Sequence, residues 1–79
     1  MSVIIAGVVY QHGRRHALAE IELGNAAPLE VVLDESDTRT LAYTITGKKL
    51  EELSEDDVAE ITAMYEEGYY DAWEDHLGS

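Results

Sequence analysis

The 79-residue chain has no cysteine, so neither a disulfide framework nor a thiolate metal centre can brace it. It also lacks a long apolar run. Residues 2–10 are apolar but fall short of the roughly 20 residues a membrane helix needs. They carry no basic start and no small-residue cleavage site, so a signal peptide is not expected. The expected compartment is the cytoplasm of a bacterial host cell. Basic residues are scarce as well: five Lys and Arg stand against seventeen Asp and Glu, a formal net charge of −12. That balance excludes direct binding to nucleic acid or to anionic membranes, which would repel the chain. No Gly-rich phosphate loop, nucleophile elbow or EF-hand loop is present, so neither an enzyme nor a cofactor protein is expected.

Against these absences, an apolar fraction of 46% is ordinary for a globular protein and argues against wholesale disorder. One domain covering residues 1–79, as a monomer or small homo-oligomer, follows from the length. The charge, however, is unevenly placed. Residues 1–50 hold all five basic residues against six acids, while residues 51–79 hold eleven acids and no Lys or Arg. That asymmetry is the main functional signal in the chain.

The apolar, β-branched segment Val3–Tyr10 reads as a strand. Gln11-His12-Gly13-Arg14-Arg15 reads as a hairpin loop. Ala17, Ala19, Ile21 and Leu23 alternate with His16, Leu18, Glu20 and Glu22, the pattern of a half-exposed second strand. Gly24 to Pro28 breaks it, and Leu29–Leu33 reads as a third strand. Leu41, Tyr43 and Ile45 alternate with Ala42, Thr44 and Thr46, giving a fourth, with a helix over 38–46 as the competing reading. The C-terminal segment is helical: Ser54 followed by Asp57 resembles a capping box. Val58, Ile61, Tyr65, Tyr69, Ala72 and Trp73 form an apolar stripe at helical spacing, ending near Gly78. Gly68 in its interior marks a kink or a close approach. The expected fold is therefore α+β, an antiparallel sheet of three or four strands with one long acidic helix across a face. Residues 1–50 are its mainly β scaffold.

His12 and His16 are four residues apart, but two arginines between them would repel a cation, and no metal site is expected. Tyr65, Tyr69 and Trp73 belong to the apolar stripe and are expected in the core. The acids Asp56, Glu60, Glu67, Asp71 and Glu74 share the opposite face, with Glu66 and Asp75 at its margins. Tyr70 lies among them, an aromatic of the kind protein-binding surfaces use as an anchor. Carboxylates packed like this destabilise a helix by a few tenths of a kcal/mol per like-charged i,i+4 pair. A basic partner gives that cost a reason.

In size, charge layout and element order, the segment from Ser54-Glu55-Asp56-Asp57 to Glu74-Asp75 resembles the small phage-encoded inhibitors known as anti-CRISPR proteins. Several of these are acidic α+β domains that mimic DNA. The resemblance implies an inhibitor that occupies the basic channel of a nucleic-acid-binding protein, such as a CRISPR-Cas effector subunit, and blocks DNA. The alternative is an antitoxin-like or assembly protein that binds its partner through apolar surface.

Overall fold

The structure, a computed structural model, describes residues 3–30 and 32–78, with residues 3 and 4 described by their backbone alone. Ser2 and Val31, which belong to the apolar run and the expected third strand, lie outside the described residues.

The chain is all-α, and among the described residues there is no strand. Helix α1 spans Val3–Glu22, α2 spans Glu35–Thr46 and α3 spans Glu55–Leu77, with a single 3-10 turn at Leu50–Glu52 between the last two. The expected α+β sheet is therefore wrong. So is the hairpin loop at 11–15, because Gly13 lies within α1. Residues 29 and 30, from the expected third strand, lie in the connection between α1 and α2. The β-branched side chains of α1 disfavour a helix only by fractions of a kcal/mol each, which tertiary packing overrides. Burial along α1 follows the helical period: Val9, Gly13, Ala17 and Glu20 are buried, whereas Val8, Gln11, Arg15 and Leu18 are exposed. Of the expected alternating strand, Ala19 and Leu23 face solvent and Glu20 faces the core.

Helix α1 stops where the sequence breaks. Gly24 takes a left-handed backbone (φ 90), and the Asn25 amide closes back on the Glu20 carbonyl at 3.1 Å, as in a Schellman ending. The fourth expected strand is α2. Asp34 caps it by accepting the Asp37 amide at 2.7 Å, and Gly47 at φ 72 ends it. Three of its four threonines point back along the helix: Thr38, Thr44 and Thr46 donate to the carbonyls of Asp34, Thr40 and Ala42. Each hydroxyl is thereby satisfied inside a helix, which propensity alone would not anticipate. For α3 the expected start holds, since Ser54 Oγ accepts the Asp57 amide at 3.1 Å.

The three helices run up, down and up. Helices α1 and α3 are parallel: Ile5 and Ile61 flank one cleft, His16 meets Tyr65, and Glu20 meets Tyr69 and Trp73. Helix α2 runs back between their ends, so Ile45 sits at the Ile5 end and Leu41 near His12 and Tyr65. The core joins Val9 and Ala17 of α1, Val32 of the connection and Leu41 of α2 to Ile61, Tyr65, Tyr69, Ala72 and Trp73 of α3.

The α1–α3 crossing depends on two glycines. A Cβ on Gly13 would overlap the Tyr65 carbonyl oxygen and lie 3.0 Å from the Tyr69 nitrogen. A Cβ on Gly68 would overlap the Tyr10 carbonyl oxygen and lie 2.9 Å from its carbonyl carbon. Each helix therefore rests its glycine against the other's backbone. Gly7, in the same helix as Gly13, has nothing within 4 Å of its would-be Cβ. Gly7→Ala is expected to raise unfolding free energy by about 0.5–1 kcal/mol through helix propensity, checked by urea denaturation.

Candidate protein-binding face

Helix α3 has two sides of opposite character. Its outer side carries Asp56, Glu60, Glu67 and Glu74, all exposed. Successive members from Glu60 onward are seven residues apart, so they rise about 10 Å per step along the helix. The remaining expected site residues are placed differently. Asp71 is half-buried and accepts a 2.7 Å hydrogen bond from the Tyr10 hydroxyl of α1. Asp75 pairs with Arg14 at 3.5 Å, and Glu66 is half-buried at the margin. The sequence thus grouped these acids on one face, whereas the structure divides them. Four form the open row, and Asp71 and Asp75 tie α3 to α1. Glu51, in the 3-10 turn, pairs with Arg39 of α2, which also reaches Glu35 at 3.3 Å. The acidic segment is therefore not one continuous helix.

Tyr70 is 39% exposed, yet it is held in place. Its hydroxyl donates to the Leu29 carbonyl at 3.1 Å, and its ring meets Tyr69 edge-on at 5.2 Å. The Leu29 amide in turn donates to the Tyr69 hydroxyl at 2.8 Å. Two neighbouring tyrosines therefore hold both backbone groups of one residue in the 23–34 connection.

The inner side of α3 contains a polar network that sequence reasoning missed. Glu20 is only 8% exposed. One of its oxygens accepts the Tyr69 hydroxyl and the Trp73 indole N–H, the latter at 3.3 Å. The other lies 3.1 Å from His16 Nε2, and His16 Nδ1 lies 2.8 Å from the Tyr65 hydroxyl. With the His16 proton on Nε2, both imidazole contacts are satisfied at once. No buried side-chain nitrogen or oxygen lacks a partner among the described residues. The available signal was the i,i+4 spacing of His16 and Glu20, which has meaning only once residues 3–22 are read as a helix.

These contacts shift the tyrosines. Burial pushes the Tyr69 hydroxyl up from its ordinary value, with the Glu20 hydrogen bond adding to it. Burial and then the nearby Asp37 charge raise Tyr65. The hydrogen bond to Asp71 raises Tyr10. Below pH 10 these groups are neutral in both folded and unfolded chains. Above it the unfolded tyrosines lose protons that the folded ones keep, so stability falls as pH rises past about 10. Alkaline spectrophotometric titration is expected to show a fraction of the tyrosine absorbance lagging until the protein unfolds.

An open cleft of about 530 Å³ between α1 and α2 is lined in part by His12, His16, Asp37, Thr40 and Tyr65. The sequence expected His12 and His16 in a loop; both lie on α1. His16 and Tyr65 are engaged with each other, and among the described residues no three His, Asp or Glu side chains converge to hold a metal ion. Nor, among those residues, is any helix long and apolar enough to cross a membrane. What the surface offers chemically is a row of exposed carboxylates beside a pinned aromatic. Compared with known proteins, the chain matches no family model, no curated protein and no solved structure, so the reading of this face rests on its own geometry.

Proposed function

We propose that the protein is a binding protein that presents the outer side of α3 to a basic surface on another protein. The observation that carries this reading is the exposed row Asp56, Glu60, Glu67 and Glu74, on a helix with nine acids and neither Lys nor Arg. Such a row speeds association with a basic partner and makes it salt-sensitive. If that partner's basic surface normally holds DNA, the protein acts as a stoichiometric inhibitor, as the likeness to anti-CRISPR proteins implies. A CRISPR-Cas effector subunit is one such partner. The all-α fold removes the α+β part of that likeness and leaves size and charge to support it.

The test uses Asp56→Lys, Glu67→Lys and Glu74→Lys together. Asp71 is left intact because it bonds Tyr10, and Asp75 because it pairs with Arg14. Wild-type chain immobilised at low salt is expected to capture basic proteins from bacterial lysate and to release them at high salt. The triple variant, with an unchanged circular dichroism spectrum and melting temperature, is expected to capture none of them. Equal capture by a well-folded triple variant would overturn the proposal.

A further inference from the structure

Three of the large apolar side chains that face solvent gather at one place: Leu29 (45% exposed), Tyr70 (39%) and Leu77 (61%). Tyr70 and Leu77 line a groove of about 490 Å³ with Pro28, Trp73 and Gly78, and its one charged lining residue is Glu74. Leu29 adjoins Pro28 in the chain and is fastened to Tyr70. The groove is built before anything occupies it. Its loop wall is held by the two hydrogen bonds at Leu29, and its floor is Trp73, whose indole N–H is fixed on buried Glu20.

The surroundings of the groove are acidic. Glu66 and Glu67 lie one turn before Tyr70, Glu74 one turn after it, and exposed Glu30 follows Leu29 in the connection. From residue 50 to the last residue the sequence contains no Lys or Arg. An apolar slot with a braced loop wall, set among carboxylates, is complementary in charge to one kind of occupant. We infer that this groove seats a basic amphipathic segment of the partner protein, with one large apolar side chain on Leu29, Tyr70 and Leu77, above buried Trp73, and Lys or Arg on the surrounding acids. The inference deepens the proposed function, on which it rests, by naming what the partner offers. The α3 row supplies steering and salt-sensitive attraction, and the groove supplies a contact that salt does not screen. Pre-formed walls let the anchor bind without ordering the loop first.

The probe is a pair of synthetic helical peptides of Lys, Arg and Ala, identical except for a central Leu in one and Ala in the other. Trp73 is the chain's only tryptophan and lies directly beneath the groove, buried, so a change in its fluorescence reports occupancy. The Leu peptide is expected to bind roughly tenfold or more tightly than the Ala peptide, and the preference should persist at high salt. Leu77→Ser is expected to abolish the preference while leaving the salt-sensitive binding that both peptides share.

Equal binding of the two peptides to the wild-type chain, or an undiminished preference in Leu77→Ser, would overturn the groove. A preference for Leu that remains in the chain carrying Asp56→Lys, an acid of the row far from the groove, with affinity unchanged, supports the groove and counts against the acidic row. Loss of affinity for both peptides in that chain, without any Leu preference in the wild type, leaves the row standing and removes the groove. Absence of binding by either peptide at low salt removes both.

Discussion

Gly68→Ala is expected to lower the unfolding free energy by about 3 kcal/mol, despite placing a better helix former inside a helix. In an open helix the same change stabilises by about 1 kcal/mol. Here the new methyl would occupy the space of the Tyr10 carbonyl group, and backbone cannot rotate away as a flexible side chain can. The two helices must separate, which loosens Val9 and Tyr69, both fully buried at the same crossing. A domain of this length has roughly 4–12 kcal/mol in total, so the loss removes between about a quarter and three quarters of it. Gly13→Ala, facing Tyr65 and Tyr69 from the other helix, is expected to cost a similar amount. The double variant is expected to cost less than the sum, because either methyl alone already opens the shared crossing. Urea denaturation of the three variants, with Gly7→Ala as the reference of opposite sign, checks all of this. Unchanged midpoints for Gly68→Ala and Gly13→Ala would show that the helices do not meet at the glycines.

Glu20→Ala is the second change with a large expected effect, again about 3 kcal/mol. Removing the carboxylate leaves the Trp73 indole N–H and the Tyr69 hydroxyl without their acceptor in the interior, and His16 loses its Nε2 partner. A buried donor stripped of its acceptor costs about 1–3 kcal/mol, and the cavity left by the side chain adds to it. Glu20→Gln separates polarity from shape. Its amide oxygen can still accept from Tyr69 and Trp73, so a loss of about 1 kcal/mol is expected, well below that of the alanine variant. Because Tyr69 also receives the Leu29 amide, Glu20→Ala should further loosen the 23–34 connection. Faster hydrogen exchange at Leu29 would show it. Equal stability of the alanine and glutamine variants would mean that the network contributes nothing beyond packing.

Gly68 lies where the sequence placed it, inside the C-terminal helix at a close approach, but Gly13 and Glu20 are residues that sequence pattern alone misplaces. Gly13 reads as the apex of a hairpin because a glycine beside two arginines, after a β-branched run, matches a turn. In the structure its missing side chain serves helix contact. Glu20 reads as the polar member of an alternating strand, yet it is the most buried charged side chain described. Short apolar stretches fit strand and helix periods about equally well. Alanines at 17 and 19 do not separate the two, since a small side chain fits either a core or a surface position.

The sequence by itself determined the acidic helix and its limits. Its start at Ser54 and its apolar stripe follow from local spacing and capping, and both are present in α3. It also determined that the charge excess falls in the last third of the chain, and that regular structure breaks at Gly24, although it expected a strand and not a helix to end there. The tertiary structure decided the rest. The segment that precedes Gly24 became a helix because packing against α3 outweighs β-branched propensity, and the one that precedes Gly47 took the competing helical reading, capped at Asp34 and Gly47. The acids divided into an exposed row and two ties to α1 because Tyr10 and Arg14 come alongside α3 only in the folded chain. The groove at Tyr70 formed because Leu29, 41 residues away in sequence, is fastened there. Local spacing fixes which face of a helix a residue occupies, but what lies against that face depends on contacts between residues far apart in the chain.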